Sequence, residues 1–223
     1  MNFDQQALDY LSGKQFSNGY RLPIHLSSQA QRRNDRIVQL VQGKSVLHVG
    51  CCDHFDLIRT KVERGLYLHQ ILCQNASRCV GSDINRDGIA LMHELGFPEV
   101  YTPDAVPQES YDICLLADVI EHVGDVVSFL KSLRQYQFKE LVVVTPNMFR
   151  ARNFLSRGEI INTDHRYWFS PFTLSKVLTD AGYTPRRLEL CHSDSTSWRG
   201  ALLAKVLNHA PKYRDMLIVV ANP

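Results

Sequence analysis

The chain has 223 residues, enough to bury a sizeable core as one α/β domain or as two small ones. A hydrophobic fraction of 44% and a charged fraction of 22% belong to a soluble globular protein, and a net charge of +2 gives no case for nucleic acid or an anionic membrane as partner. No apolar run approaches the ~20 residues that cross a bilayer, and the opening residues, with early acids and no apolar core, do not read as a secretory signal, so a cytoplasmic setting is expected.

Six cysteines stand at 51, 52, 73, 79, 114 and 191. Adjacent Cys51 and Cys52 and the wide Cys73/Cys79 pair match no zinc spacing, and Cys114 sits in an apolar run. Reduced, mostly buried thiols are expected. Residues 1–42 are polar and read as an N-terminal helical cap in two pieces, ahead of a main domain over 43–223. Phe3, Ala7, Leu8 and Leu11 recur at helical spacing, and Ser12-Gly13 and Ser17-Asn18-Gly19 end the pattern. A second helix is predicted after Pro23, running through Gln29 to Gln42, with Ile37, Leu40 and Val41 inward and Arg32 and Arg33 on its solvated side. Such a segment either covers a cleft or packs on a sheet edge.

Regular alternation begins at Lys44. Ser45–Gly50 reads as a short buried strand running into a glycine turn, and Phe55 to about Asn75 as one helix with Leu57, Ile58, Val62, Leu66, Ile71 and Leu72 inward. Further strands are predicted at 78–83, 99–101, 111–117 and 140–145, the last stopped by Pro146. The intervening helices are Arg86–Leu95, closed by Gly96, and Val126–Tyr136, with Val126, Val127, Leu130 and Leu133 inward. This order argues for a mostly parallel sheet with helices on both faces, which binds ligands at strand carboxyl ends. Acids gather there: Asp53, Asp83, Asp104, Asp118 and Glu121.

Four places carry chemistry. Gly50 offers a backbone free of Cβ. Asp83, one βαβ unit later, either accepts both hydroxyl hydrogens of a ribose or caps the next helix. Asp104, beside Ala105, is placed to accept from an exocyclic amine or is an ordinary turn residue after Pro103. Asp118, Glu121 and His122 are spaced so that a helical turn would bring all three to one face, as divalent-metal ligands, as a general base with its orienting partner, or as a cap.

Strand one with Gly50, Gly81-Ser82-Asp83, the run from Tyr111 to Val123 with its D-V-I-E-H phrase, and Thr145-Pro146-Asn147 together resemble class I S-adenosylmethionine-dependent methyltransferases. The run Asp164–Leu174, with Leu178 and Ala181-Gly182-Tyr183, is similar to the branch with small-molecule O- and N-methyltransferases. The likeness spans roughly residues 44–191. It implies a Rossmann-like three-layer α/β sandwich, with a seven-stranded, mostly parallel sheet whose last strand is antiparallel. Strand six would be Thr184–Cys191 and strand seven Met216–Ala221. It implies S-adenosylmethionine as cofactor, held by His48, Gly50, Cys52, Asp83, Ile84, Asp104, Ala105 and Asp118. Catalysis would fall to Glu121, His122 and His165, with methyl transfer to an O or N acceptor on a small-molecule or glycan-like substrate.

The first motif departs from the family, which usually has an acid at position 48 and glycines at 52 and 54, where this chain has His48, Cys52 and His54. The departure motivates a second class of reading, a non-catalytic binding or scaffold protein. The D/E-x-x-E-H phrase is also similar to the metal sites of ubiquinone-pathway O-methyltransferases and of small-RNA 3′-end 2′-O-methyltransferases. It implies a divalent cation on Asp118, Glu121, His122 and His165, with manganese as plausible as magnesium, and the RNA group as a further alternative. Arg150, Arg152 and Arg157, with Asn147, are placed to grip an acidic substrate or form a solvated face. Tyr167, Trp168 and Phe169 are a pocket wall or core. The 192–214 segment, with a helix near Gly200–Asn208, suits a lid or a homodimer contact.

Overall fold

The computed structural model describes residues 2–23, 31–194 and 198–223. Seven strands form one sheet: β1 (Ser45–Val49), β2 (Arg78–Ser82), β3 (Val100–Tyr101), β4 (Ser110–Ala117), β5 (Gln137–Pro146), β6 (Thr184–Cys191) and β7 (Met216–Asn222), in the order β3-β2-β1-β4-β5-β7-β6. β1 to β5 pair in parallel, and β7 inserts antiparallel between β5 and β6. The inner halves of β1, β4 and β5 are buried without alternation, as expected for parallel strands covered on both faces.

The helices are α1 (Gln5–Leu11), α2 (Arg33–Val41), α3 (Phe55–Glu63), α4 (Leu68–Asn75), α5 (Arg86–Glu94), α6 (Val126–Ser132), α7 (Ala151–Leu155), α8 (Pro171–Asp180) and α9 (Trp198–Leu207). One face of the sheet, with Leu47, Val80, Leu116, Val143 and Val219, packs on Val126 and Leu130 of α6 and Leu174 and Leu178 of α8. The other, with Val46, Ile113, Leu115, Val142 and Ile218, packs on Ile37, Leu40 and Val41 of α2 and Leu72 of α4. A third cluster joins Ile58 of α3 to Ile89 and Met92 of α5. These are the three layers of a Rossmann-like sandwich.

The N-terminal segment divides between the layers. α1 lies by α8, where Lys176 Nζ donates to Leu11 O at 2.7 Å. α2 sits on the opposite face and is tied to β6 by a two-pronged ion pair, Arg36 to Glu189, at 2.6 and 2.8 Å. The helix predicted from Pro23 is described only from residue 33 onward, because 24–30 lie outside the described residues.

The helix predicted over 55–75 is two. Gly65 takes a left-handed φ of +65° and ends the first, and Leu57 and Leu66, expected inside, are 43% and 60% exposed. The break turns α4 so that its own inner side, with His69 and Leu72, covers β1 and β2.

Asn147, expected over the substrate rim, is fully buried instead. Its Nδ2 donates to Lys212 O at 2.9 Å and Arg214 O at 2.8 Å, and its Oδ1 accepts from Phe149 N at 3.0 Å. It ties the exit of β5 to the segment entering β7. Asn147→Ala leaves two buried carbonyls and an N–H without partners, so a loss of about 2–4 kcal/mol is expected in urea denaturation; an unchanged midpoint would refute this assignment.

Candidate active site

The strand order reverses between β1 and β4, and a cleft of about 710 Å³ opens there at the strands' carboxyl ends. Its floor is the turn after β1. Gly50 has φ +73° and its N–H donates to Ser82 O at 2.7 Å. A Cβ at this position would stand 2.4 Å from Val119 Cγ2, so both the backbone angle and the close approach demand glycine. The next amides are held by Asp83, which accepts from Cys52 N at 2.8 Å and Asn85 N at 2.9 Å. Asp83 is therefore not the helix cap; Asn85 caps α5 through Gly88 N. Each Asp83 oxygen keeps a lone pair for a further donor.

Cys52 replaces a glycine of the family motif without a clash. A Cβ built on Gly88 would lie 3.1 Å from both Cβ and Sγ of Cys52, so the thiol occupies the space that Gly88 leaves open. His54 is exposed and faces Asp164 at 3.7 Å, and Asp53 pairs with Lys61. His48 is 2% exposed; its Nδ1 shares a proton with His69 Nδ1 at 3.2 Å, while its Nε2 lacks a partner. Burial, then the neighbouring His69, push its pKa well down, so the ring is neutral where the family carries an acid.

Asp118, Glu121 and His122 do not share a helical face. Asp118 takes a left-handed φ of 55°, a conformation Asp tolerates better than most residues, and its side chain turns away to Arg33 Nη2 at 2.5 Å. Arg33 is thus a cleft residue, not part of a solvated helix side: its side chain is 13% exposed. The turn instead brings Glu121 and His122 to His165, one ligand atom from each lying within 4.8 Å of the others. The 162–169 loop that carries His165 is pinned to this turn: Arg166 N donates to Glu121 O at 2.7 Å, Asp164 O lies 3.1 Å from His122 Nδ1, and Tyr167 Oη donates to Gly124 O at 2.6 Å. The His122 and His165 rings meet edge to face at 4.7 Å.

The electrostatics of this cluster are unusual. Glu121 is 1% exposed and neither carboxylate oxygen has a hydrogen-bond partner among the described residues. Burial, and behind it the Asp118 carboxylate, push its pKa up to about 8. His165 is pulled below its ordinary value by burial and then by His122, and its Nδ1 is buried and unpartnered.

Ile84, Asp104 and Ala105 follow β2 and β3 but do not line the cleft; Ile84 is 86% exposed, and Asp104 is held below its ordinary pKa by the Thr102 hydroxyl. Arg150 and Arg152 line the cleft and Arg157 does not. Of the three aromatic residues, Phe169 is core and Trp168 backs the site, edge-on to His165 and 4.4 Å under the Arg150 guanidinium; none of the three lines the cleft. Tyr67, which the sequence did not single out, lines the cleft and donates to Cys51 O at 2.7 Å. Only the break at Gly65, a visible turn signal, could have separated it from a helix interior.

No protein-family model matches the chain, and no curated protein does. Solved structures do. A SAM-dependent methyltransferase from Aquifex aeolicus superposes with a TM-score of 0.54 at 15% identity, covering 85% of this chain and 89% of its own. One from Mesorhizobium loti gives 0.51 at 15%, covering 84% and 96%. One from Archaeoglobus fulgidus gives 0.50 at 19%, covering 86% and 91%. The chain has the class I S-adenosylmethionine-dependent methyltransferase fold. At such identities the likeness speaks for the sheet and its layers, and the site rests on its own geometry.

Two expectations follow. Gly50→Ala costs about 2–4 kcal/mol in urea denaturation, from the left-handed backbone and the collision together. Adding Val119→Ala should return the steric share only; full recovery or none would contradict the division. The second concerns Glu121, whose folded-state pKa lies above its ordinary 4.5, so the stability it contributes is present below pH 4.5 and is lost as pH rises to about 8. Relative to wild type, Glu121→Gln should gain roughly 5 °C or more in Tm between pH 5 and pH 8. Parallel Tm curves for the two proteins would show that Glu121 is not held protonated.

Proposed function

We propose that the chain is a methyltransferase that uses S-adenosylmethionine and methylates an O or N acceptor on a small or sugar-like molecule bearing negative charge. The observation that carries this reading is the pairing of the Gly50 turn with Asp83, a cradle that a Cβ would fill beside a carboxylate with lone pairs to spare. When bound, the cofactor supplies an electrophilic methyl group on a sulfonium. Gly50, Cys52, Asp118 and the buried ring of His48 would hold its methionyl end, Asp83 its ribose, and Ile84, Asp104 and Ala105, outside the cleft at the ends of β2 and β3, would meet its adenine where it leaves the cleft.

The remaining groups suit the acceptor. Arg33, Arg150 and Arg152 give the cleft cationic donors for a carboxylate or phosphate. His165, neutral at physiological pH with a free buried Nδ1, takes the proton that the acceptor oxygen or nitrogen releases as its bond to the methyl carbon forms and the sulfur–carbon bond breaks. His122 stacks edge-on and fixes the His165 ring, and Glu121, its pKa pushed up to about 8 by burial, would offer a hydrogen bond in its protonated form. A second reading uses the same three side chains as ligands for one borderline divalent cation, such as manganese, that would acidify the acceptor; the 4.8 Å clustering of Glu121, His122 and His165 favours it.

Calorimetric titration with S-adenosylmethionine and S-adenosylhomocysteine tests the core of this proposal. Micromolar binding is expected, about −8 kcal/mol, and Asp83→Ala should weaken it at least about tenfold. A folded protein that binds neither would favour the scaffold reading. Once an acceptor is found, His165→Ala should lower kcat about 10²–10⁴-fold with little change in cofactor affinity. Activity abolished by chelator and restored by manganese would instead establish the cation.

A further inference from the structure

A second cluster lies behind the cofactor turn, between α4 and the sheet. His69 and Cys73 stand one turn apart on α4, over Cys79 of β2, and one ligand atom from each lies within 4.8 Å of the others. Cys79 Sγ is 3.8 Å from His69 Nδ1, and His48 Nδ1, from β1, is 3.2 Å from that same nitrogen. A tetrahedral centre with metal–sulfur bonds of about 2.3 Å and metal–nitrogen bonds of about 2.0–2.1 Å separates its ligand atoms by roughly 3.3–3.8 Å. The Cys79–His69 spacing of 3.8 Å sits at the upper end of that range, and the His48–His69 spacing of 3.2 Å falls just below it.

We propose that His69, Cys73 and Cys79 bind one thiophilic divalent cation of zinc's chemistry, with the fourth position left to an exchangeable ligand. The donor set of two cysteines and one histidine is one that such ions favour, and it differs from the oxygen-bearing cluster of Glu121, His122 and His165. The approach is built into the sheet. Gly81 lies directly under the cluster, and a Cβ there would stand 2.9 Å from His69 Cε1 and 2.8 Å from Cys51 Sγ. His48, His69 and Cys79 are buried beside apolar Val46 and Leu72, where polar atoms with only one another for partners are costly. Cys73 is exposed at the end of α4 and gives the ion a way in.

The hydrogen bond between the two thiols pushes the Cys73 pKa down and, in turn, the Cys79 pKa up.

The test uses the full chain, purified with a phosphine reductant, stripped by chelator and titrated with Co²⁺ and then Zn²⁺. One equivalent of Co²⁺ should give the intense visible bands of a tetrahedral site and a sulfur-to-metal charge-transfer band, both erased by Zn²⁺. Cys73→Ser, with its exposed side chain, should keep the native circular dichroism, lose about half of the charge-transfer intensity and bind zinc at least about tenfold more weakly. His165→Ala should leave the charge-transfer band unchanged, which separates this site from the cluster of Glu121, His122 and His165. A folded, reduced protein without a charge-transfer band would overturn the proposal, as would a band of full intensity in Cys73→Ser. A Cys73–Cys79 disulfide formed without reductant, in a protein whose reduced form binds no zinc, would also overturn it and assign the pair to redox chemistry.

Discussion

The site depends on one tight connection between the tips of β1 and β2. Gly50 turns left-handed so that its amide reaches Ser82 O, and Asp83 reaches back to take the Cys52 amide. Both amides of the turn after β1 donate to oxygens at the tip of β2, so neither tip can shift without the other. Val119, packed where a Gly50 side chain would be, extends the lock to the loop after β4. Cavity floor, carboxylate and the turn bearing Glu121 are thereby positioned by backbone, which loses little freedom when a ligand arrives.

The cleft sets buried groups of opposite sign against each other without neutralising all of them. Asp118 is answered by Arg33, while Glu121 lies deeper, where burial and then the Asp118 carboxylate push its pKa up to about 8. Which side each faces is decided by the left-handed backbone at Asp118, a small local departure with a large effect on the pocket's chemistry.

The strands β1, β4 and β5 were legible because they are buried on both faces and therefore read as apolar runs; the bounds of β6, Thr184–Cys191, came from the family resemblance and match the structure. The connections were harder. A helical period continued through Gly65 hid the break that separates α3 from α4, and with it the placement of Tyr67 and His69. The spacing of Asp118, Glu121 and His122 suggested a shared face, but spacing carries no information about a positive φ. Arg33 looked like one more solvated cation because its partner lies 85 residues away, a distance over which sequence pattern is silent. The same holds for Cys73 and Cys79: their separation fits no linear zinc motif, and only the fold brings both together with His69.

The placement of β7 has a consequence for the growing chain. Among the described residues β6 pairs along its length with β7, its other edge meeting only the short bridge of Asn2 to Arg187, yet it is made before β7, so on the ribosome the edge that β7 will cover stays open until residues 216–222 emerge. An open edge invites pairing with other chains. β6 carries its own protection: Arg186, Arg187 and Glu189 interrupt its apolar positions, and Arg36 of α2, already synthesised, can clasp Glu189 before β7 arrives. The ion pair that holds α2 to the sheet in the finished molecule is in this sense also a chaperone for an unpartnered strand, made from the chain's own earlier residues.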